Sequence, residues 1–202
     1  ISKYYDDTRV PSPHVLEFWL SKIVNLGKVS TDSMVLDIGC GTGIYTIPLA
    51  RKAGVVFGLD SAREMIKKAR MKEDSQRVEW QIGDAENLPF DSAHFDCAIM
   101  TMVIHLMINK KKAIDEVHRV LKKNGTLVIL TKSHGQLRRS EIMDFPKTKQ
   151  IDLKRFPTIP TLKYMLLSAG FRNARYHVIS RGVIKVPIEE YLEKIRKKYI
   201  ST

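Results

Sequence analysis

Apolar residues at Val15, Leu16, Phe18, Trp19, Leu20, Ile23, Val24 and Leu26 recur with helical spacing and predict an amphipathic helix over 13–26. Pro13 stands near its start, where a missing N–H costs nothing. The pattern then changes to short, nearly continuous apolar runs at 33–38, 55–59 and 95–100, with an alternating run at 78–82 and another apolar run at 126–131. These read as five strands, the continuous ones buried on both faces. Helical patterns over 44–53, 61–71 and 111–121 separate them. Ser61 with Glu64 three residues later predicts a capping box, and Asn124-Gly125 predicts a helix C-cap. Strands alternating with helices argue for an α/β fold with a parallel sheet covered on both faces. Farther on, 132–157 hold few periodic features. A helix over 160–169 closed by Gly170, strands over 175–180 and 183–186, and a terminal helix over 189–199 are expected.

Composition narrows the class. The 202 residues are 44% hydrophobic and 28% charged, close to the globular average, which excludes disorder. No apolar run approaches the ~20 residues of a membrane span. The polar, Pro-containing N-terminus has no signal-peptide pattern, and because it does not begin with Met some preceding residues are expected to be missing. Cys40 and Cys97 cannot form a disulfide framework and neither sits in a CxxC spacing, so no metal site is predicted and a reducing, cytoplasmic setting is expected. The net charge is +12, unevenly spread: 1–137 hold 19 Lys/Arg against 16 Asp/Glu, and 138–202 hold 15 against 6. A basic C-terminal third suits nucleic acid, a membrane surface or an anionic substrate, or simply a solubilising lysine-rich face.

The candidate chemistry starts at Gly39-Cys40-Gly41-Thr42-Gly43, between a predicted strand and a helix. Glycines there permit positive φ and close approach of a ligand to the main chain. Asp37, Asp60 and Asp84 fall at the carboxyl ends of the first three strands, the edge at which open α/β sheets bind ligands. An acid ending the second strand suits the two hydroxyls of a ribose. Neither register of the loop meets the G-x-G-x-x-G/A dinucleotide fingerprint, and the Gly-Lys-Ser/Thr of a phosphate loop is absent.

The segments VLDIGCGTG (35–43), GLDSAREMIKKAR (58–70), GDAENLPFDSAHFDCAIM (83–100) and AIDEVHRVLKKNGTLVIL (113–130) resemble the class I S-adenosylmethionine-dependent methyltransferases, and most the branch with ubiquinone/menaquinone-biosynthesis and other small-molecule enzymes. The resemblance covers half the chain. It implies a single domain with a doubly wound, Rossmann-like, mostly parallel sheet in three α/β/α layers. Residues 1–30 would form an N-terminal helix and lid, 31–131 the cofactor core, and 132–202 a substrate-side insertion with the C-terminal elements. It implies S-adenosyl-L-methionine as cofactor and S-adenosyl-L-homocysteine as product. Gly39, Gly41 and Gly43 would face the methionine part, with Cys40 and Thr42 presenting backbone. Asp37 would reach the ammonium and Asp60 the ribose, with Ser61 beside it. Met65 would pack on the adenine, Asp84 would accept from its amino group with Gly83, Ala85 and Glu86 adjoining, and Thr101 and Met102 would flank the sulfonium. In relatives an N-terminal segment folds over the cofactor, which places Tyr4, Tyr5 and Arg9 near it; a frayed terminus is the other reading.

Methyl transfer from a sulfonium needs a positioned acceptor and exclusion of water, and a base only where the acceptor must lose a proton. His105, after the fourth strand, is the candidate base, although its apolar surroundings equally suit a packed structural histidine. Arg138, Arg139, Lys147, Lys149, Lys154, Arg155 and Phe156 in the insertion suggest an anionic small-molecule acceptor. The stretch Thr101-Met102-Val103-Ile104 lacks the [DN]-P-P-[YFW] motif of amino-methylating DNA enzymes, and neither cysteine follows a proline. An RNA methyltransferase using the basic C-terminal third, and a cofactor-binding protein without catalysis, stay open as alternatives. The family sheet has seven strands, so either 173–186 supply the last two or the seventh lies beyond Thr202.

Overall fold

The computed structural model describes Asp6, residues 9–139 and residues 146–179. Its elements are α1 (Pro13–Gly27), β1 (Met34–Ile38), α2 (Thr46–Leu49), β2 (Val55–Asp60), α3 (Arg63–Arg70), β3 (Val78–Ile82), β4 (Phe95–Thr101), α4 (Lys110–Val120), β5 (Leu121–Leu130), α5 (His134–Arg138), α6 (Pro146–Arg155) and α7 (Ile159–Ser168). The strands form one sheet in the order β3-β2-β1-β4-β5, and every pairing is parallel.

Alternation along the strands sends side chains to two cores. Val35, Val56, Cys97 and Ile99 pack with Leu20 and Ile23 of α1 and Leu49 of α2. Leu36, Ile38, Leu59, Ala98 and Met100 pack with Ile114, Val117 and Val120 of α4 on the other side. This is the three-layer, doubly wound arrangement, and it explains why the central strands read as unbroken apolar runs. Chain order reverses between β1 and β4, which opens a crevice at their carboxyl ends. Among the described residues no helix is long and apolar enough to cross a membrane.

Several local expectations are corrected. Helix α2 is only four residues long, flanked by turns: Pro48 has no N–H to give, although Ile47, Leu49 and Ala50 donate to Gly43, Tyr45 and Thr46 in helical fashion. The Ser61/Glu64 capping box does not form. Ala62 is the N-cap residue of α3, and the Asp60 carboxylate accepts its N–H at 2.8 Å. Asn124-Gly125 do not cap α4, because Leu121 already pairs with Phe95 and buries its side chain, so the helix stops at Val120 and both residues lie in an irregular stretch of β5. The featureless 132–157 contain α5, with a Ser133/Gln136 capping box, and α6. Helix α7 starts on Thr158, whose hydroxyl accepts from Thr161 N, and Gly170 follows it at φ +105° as expected. Residues 175–179 form no strand. Tyr176 and Val178 are 64% and 58% exposed, so no alternating face is buried there. The strand over 183–186 and the terminal helix lie outside the described residues.

The outer edge of β5 borders a cleft of about 1140 Å³ between α1, α7 and residues 172–179. Among the described residues eight Lys or Arg line it, among them Lys22, Lys132, Lys163 and Arg175, and no Asp or Glu does.

Candidate functional site

The glycine loop turns sharply at the end of β1. Gly39, Gly41 and Gly43 have φ of +69°, +57° and +78°, which L side chains rarely adopt. Close approach adds a second constraint at the first of them: a Cβ on Gly39 would meet Val103 Cγ2 at 2.2 Å. The loop after β1 and the loop after β4 therefore touch across the crevice. The loop's own N–H groups are largely committed inward. Gly39 and Cys40 both donate to Leu59 O (2.7 and 3.0 Å), Gly43 donates to Cys40 O, and Gly41 donates to the Asp60 carboxylate at 2.8 Å. The loop thus offers a ligand shape more than donors, and Cys40 in particular presents no unused N–H.

The three strand-end acids differ in environment. Asp37 is 1% exposed; one carboxylate oxygen accepts from the Thr46 hydroxyl at 2.6 Å and the other, Oδ1, has no partner. Burial raises its pKa to about 7, against the lowering effect of the Thr46 bond and with a smaller push from the Asp60 charge. Asp60 is held by two N–H groups, Gly41 on one oxygen and Ala62 on the other, which fixes its side chain at the rim. Asp84 is exposed and accepts from Glu86 N at 2.9 Å in a tight turn. Glu86 in turn accepts from Asn109 N at 2.7 Å, tying this turn to the start of α4. Gly83 donates to Asp60 O at 3.1 Å, Ala85 packs against the α4-side core, and Ser61 is exposed beside Asp60. On α3, Ile66 and Ala69 take the buried face and leave Met65 half-buried.

Thr101 ends β4, and Met102 follows at φ +53°, a left-handed conformation that costs a non-glycine residue about 1–3 kcal/mol. Its N–H donates to Leu130 O at 2.8 Å, which holds the strained turn to the end of β5. His105 sits on the next short turn, Ile104–Leu106, and stacks on Phe156 with ring centroids 3.9 Å apart. Desolvation lowers its pKa to about 4, so the imidazole is neutral at physiological pH. Of the insertion's cations, Arg155 acts on this ring; Arg138, Arg139, Lys147 and Lys154 are exposed and Lys149 is half-buried. Arg9, exposed, also acts on His105. Tyr4 and Tyr5 lie outside the described residues. Both cysteines are buried thiols: burial pushes Cys97 up to about 12 and Cys40 higher still, so neither is a nucleophile.

Three residues at this rim escape sequence reasoning. Asp6 accepts from the Thr42 hydroxyl and pairs with Lys72 at 2.9 Å, fastening the N-terminal segment to the glycine loop. Thr46 is the partner of Asp37, and Thr131 has a buried hydroxyl without a partner. Only Thr46 carried a signal, at the head of the helix after the loop. Among the described residues no three His, Cys, Asp or Glu side chains converge as a metal site.

A family model described as a methyltransferase domain matches residues 36–129, from β1 to β5 and including the whole crevice. Together with the relatives below, this match supports a class I S-adenosylmethionine-dependent methyltransferase. This methyltransferase is 26% identical over 209 residues to the ubiquinone/menaquinone biosynthesis C-methyltransferase UbiE of Neisseria meningitidis, covering 91% of this chain and 85% of that protein. It is 29% identical over 208 residues to the demethylmenaquinone methyltransferase of Staphylococcus epidermidis, covering 91% and 86%. Its fold matches that of a SAM-dependent methyltransferase from Aquifex aeolicus with a TM-score of 0.68 at 21% identity, over 82% of this chain and 86% of the other.

Proposed function

We propose that this methyltransferase binds S-adenosylmethionine across the β1–β4 crevice and methylates a small-molecule acceptor, releasing S-adenosylhomocysteine. The observation that carries the reading is the unpartnered, buried Oδ1 of Asp37 beside a loop with three left-handed glycines, a place where a ligand ammonium supplies what the protein does not. Asp60, already oriented by Gly41 and Ala62, keeps lone pairs for ribose hydroxyls, and Met65 on α3 and Asp84 just past β3 are assigned to the adenine. When bound, S-adenosylmethionine supplies a methyl group on a cationic sulfonium. The chain's own part is to orient that group, to hold an acceptor beside Thr101 and Met102, and to keep water out. The names of the relatives, which act in quinone biosynthesis, support a small aromatic acceptor. Titration calorimetry with S-adenosylhomocysteine tests the first half. Asp60→Ala is expected to weaken binding at least tenfold, by loss of the ribose acceptor and of the anchor for Gly41. Undetectable binding to the parent protein refutes the reading.

A second reading rests on the basic cleft along β5, lined among the described residues by eight Lys or Arg and no acid, which suits a polyanion such as RNA. Phosphate contacts release counterions, so RNA binding there is expected to fall steeply with salt. RNA retention that is absent at low salt removes this reading and leaves the first intact.

A further inference from the structure

Large apolar side chains left in solvent gather on the segments around His105. On the loop between β4 and α4, Leu106 is 61% and Ile108 97% exposed. Between them Met107 O accepts from Lys110 Nζ at 3.0 Å, which sets an ammonium just behind the tip. The base of the loop is held: Ile104 is buried, Leu106 N donates to Val103 O at 2.8 Å, and Asn109 N donates to Glu86 at 2.7 Å. Helix α6 adjoins this loop, because Phe156, the residue after it, stacks on His105 at 3.9 Å and donates its N–H to Asp152 O at 2.9 Å. Lys147, Ile151, Lys154 and Arg155 of α6 are all exposed, and their spacing puts them on one helix face. Ile151 is thus an apolar centre with three cations around it. Arg155 and Lys110 act on the His105 ring, as does Arg9, whose neighbour Val10 is exposed; the one carboxylate that acts on it, Asp152, is half-buried. Single exposed apolar residues are ordinary, but several on one rim, interleaved with cations, mark an interaction surface.

We infer that this rim docks on an anionic phospholipid bilayer, with Leu106 and Ile108 among the acyl chains and the α6 cations at the headgroup phosphates. The combination of apolar tips and flanking Lys/Arg is what an interfacial lipid surface binds, and the opposite charges attract. A folded protein partner fits less well. The apolar side chains come from separate segments with charges between them, and lysine is depleted at the centres of protein interfaces. A fluid interface admits each tip singly and offers a phosphate to each cation beside it. RNA supplies the phosphates but no apolar phase for aliphatic tips. The docking needs neither methyl donor nor acceptor, so it stands apart from the reading above.

The test is sedimentation of the full chain with vesicles of phosphatidylcholine alone and of equal parts phosphatidylcholine and phosphatidylglycerol. The mixed vesicles are expected to bind at least tenfold more tightly. Leu106→Ser/Ile108→Ser alters only exposed side chains and should weaken that binding at least tenfold. Lys147→Gln/Lys154→Gln should weaken it about ten- to thirtyfold, at about fivefold per cation. In Ile108→Trp, lipids brominated on their acyl chains should quench fluorescence that they leave unquenched in the parent protein. No binding to the mixed vesicles overturns the inference. So does binding that the serine variant leaves unchanged, which marks plain adhesion of a +12 chain. An RNA oligonucleotide that displaces the vesicles, and whose own binding the serine variant weakens equally, overturns it in favour of nucleic acid.

Discussion

Replacing Asp37 by Asn keeps the shape of a side chain that is 1% exposed and removes its ability to ionise. The amide oxygen can still accept from Thr46, so the helix α2 contact survives. In the parent protein the folded carboxyl has its pKa raised from 3.8 to about 7 by burial. Between those values the folded state holds a proton that the unfolded state has released. Stability therefore falls as pH rises through this window and levels off above it. Linkage puts the loss at roughly 2–3 kcal/mol between about pH 5 and 8. Every other titrating group contributes equally to parent and variant. Urea unfolding of both proteins across that range should show Asp37→Asn gaining on the parent by that amount, even if its new amide N–H₂, lacking an acceptor, lowers stability by a constant ~1–3 kcal/mol. Parallel stability curves would show that Asp37 is not held protonated in the folded state. The same logic gives the ligand's signature. An ammonium beside Oδ1 ionises the carboxyl, so S-adenosylhomocysteine affinity should rise about tenfold per pH unit below 7 and flatten above it. Asp37→Asn should lose this dependence and bind ten- to a hundredfold more weakly. An Asn variant with the parent's affinity and pH profile refutes the assignment of Asp37 to the ammonium.

Other expected outcomes are more local. Gly39→Ala places a Cβ 2.2 Å from Val103 Cγ2 at φ +69°, so a thermal melt should show at least about 1–3 kcal/mol lost, with Gly39→Ala/Val103→Ala recovering only the steric part. Arg119 donates to Leu88 O and Phe90 O and pairs with Glu116, so Arg119→Met should cost about 1–2 kcal/mol and speed amide exchange over 84–90. The half-buried, desolvated His105 ring should titrate near pH 4 by NMR, and methyl transfer should show no inflection between about pH 6 and 8 that His105→Gln removes.

What could be read from the chain alone follows from how local each cause is. Strands β1, β2 and β4 are buried on both faces, so their residues form uninterrupted apolar runs, and the glycines and acids at their ends stand out against that background. Local signals failed where a tertiary partner competed. Asn124-Gly125 has the chemistry of a C-cap, yet pairing Leu121 with Phe95 buries a leucine and ends the helix earlier. Ser61 is a good capping residue, but Asp60 is already pinned by Gly41 N and meets the Ala62 N–H first. The Ser133/Gln136 box that starts α5 was legible by the same rule that misled at Ser61, and the sparse periodicity around it hid it. Asp6 on Thr42 and Phe156 on His105 join residues 36 and 51 positions apart, which no periodicity encodes.

That distinction bears on the site itself. Along the sequence, Asp37, Asp60 and Asp84 are three equivalent acids at three strand ends. In the fold they are one buried carboxyl missing a partner, one surface-rim carboxylate bound by two N–H groups, and one exposed turn-former. Only the first leaves a cost that a ligand can remove, so it carries the strongest pH signature. His105 is set apart in the same way. As a residue type it invites a role as a base, but desolvated where it stacks on Phe156, with smaller contributions from Arg9, Arg155 and Lys110, it holds a proton weakly.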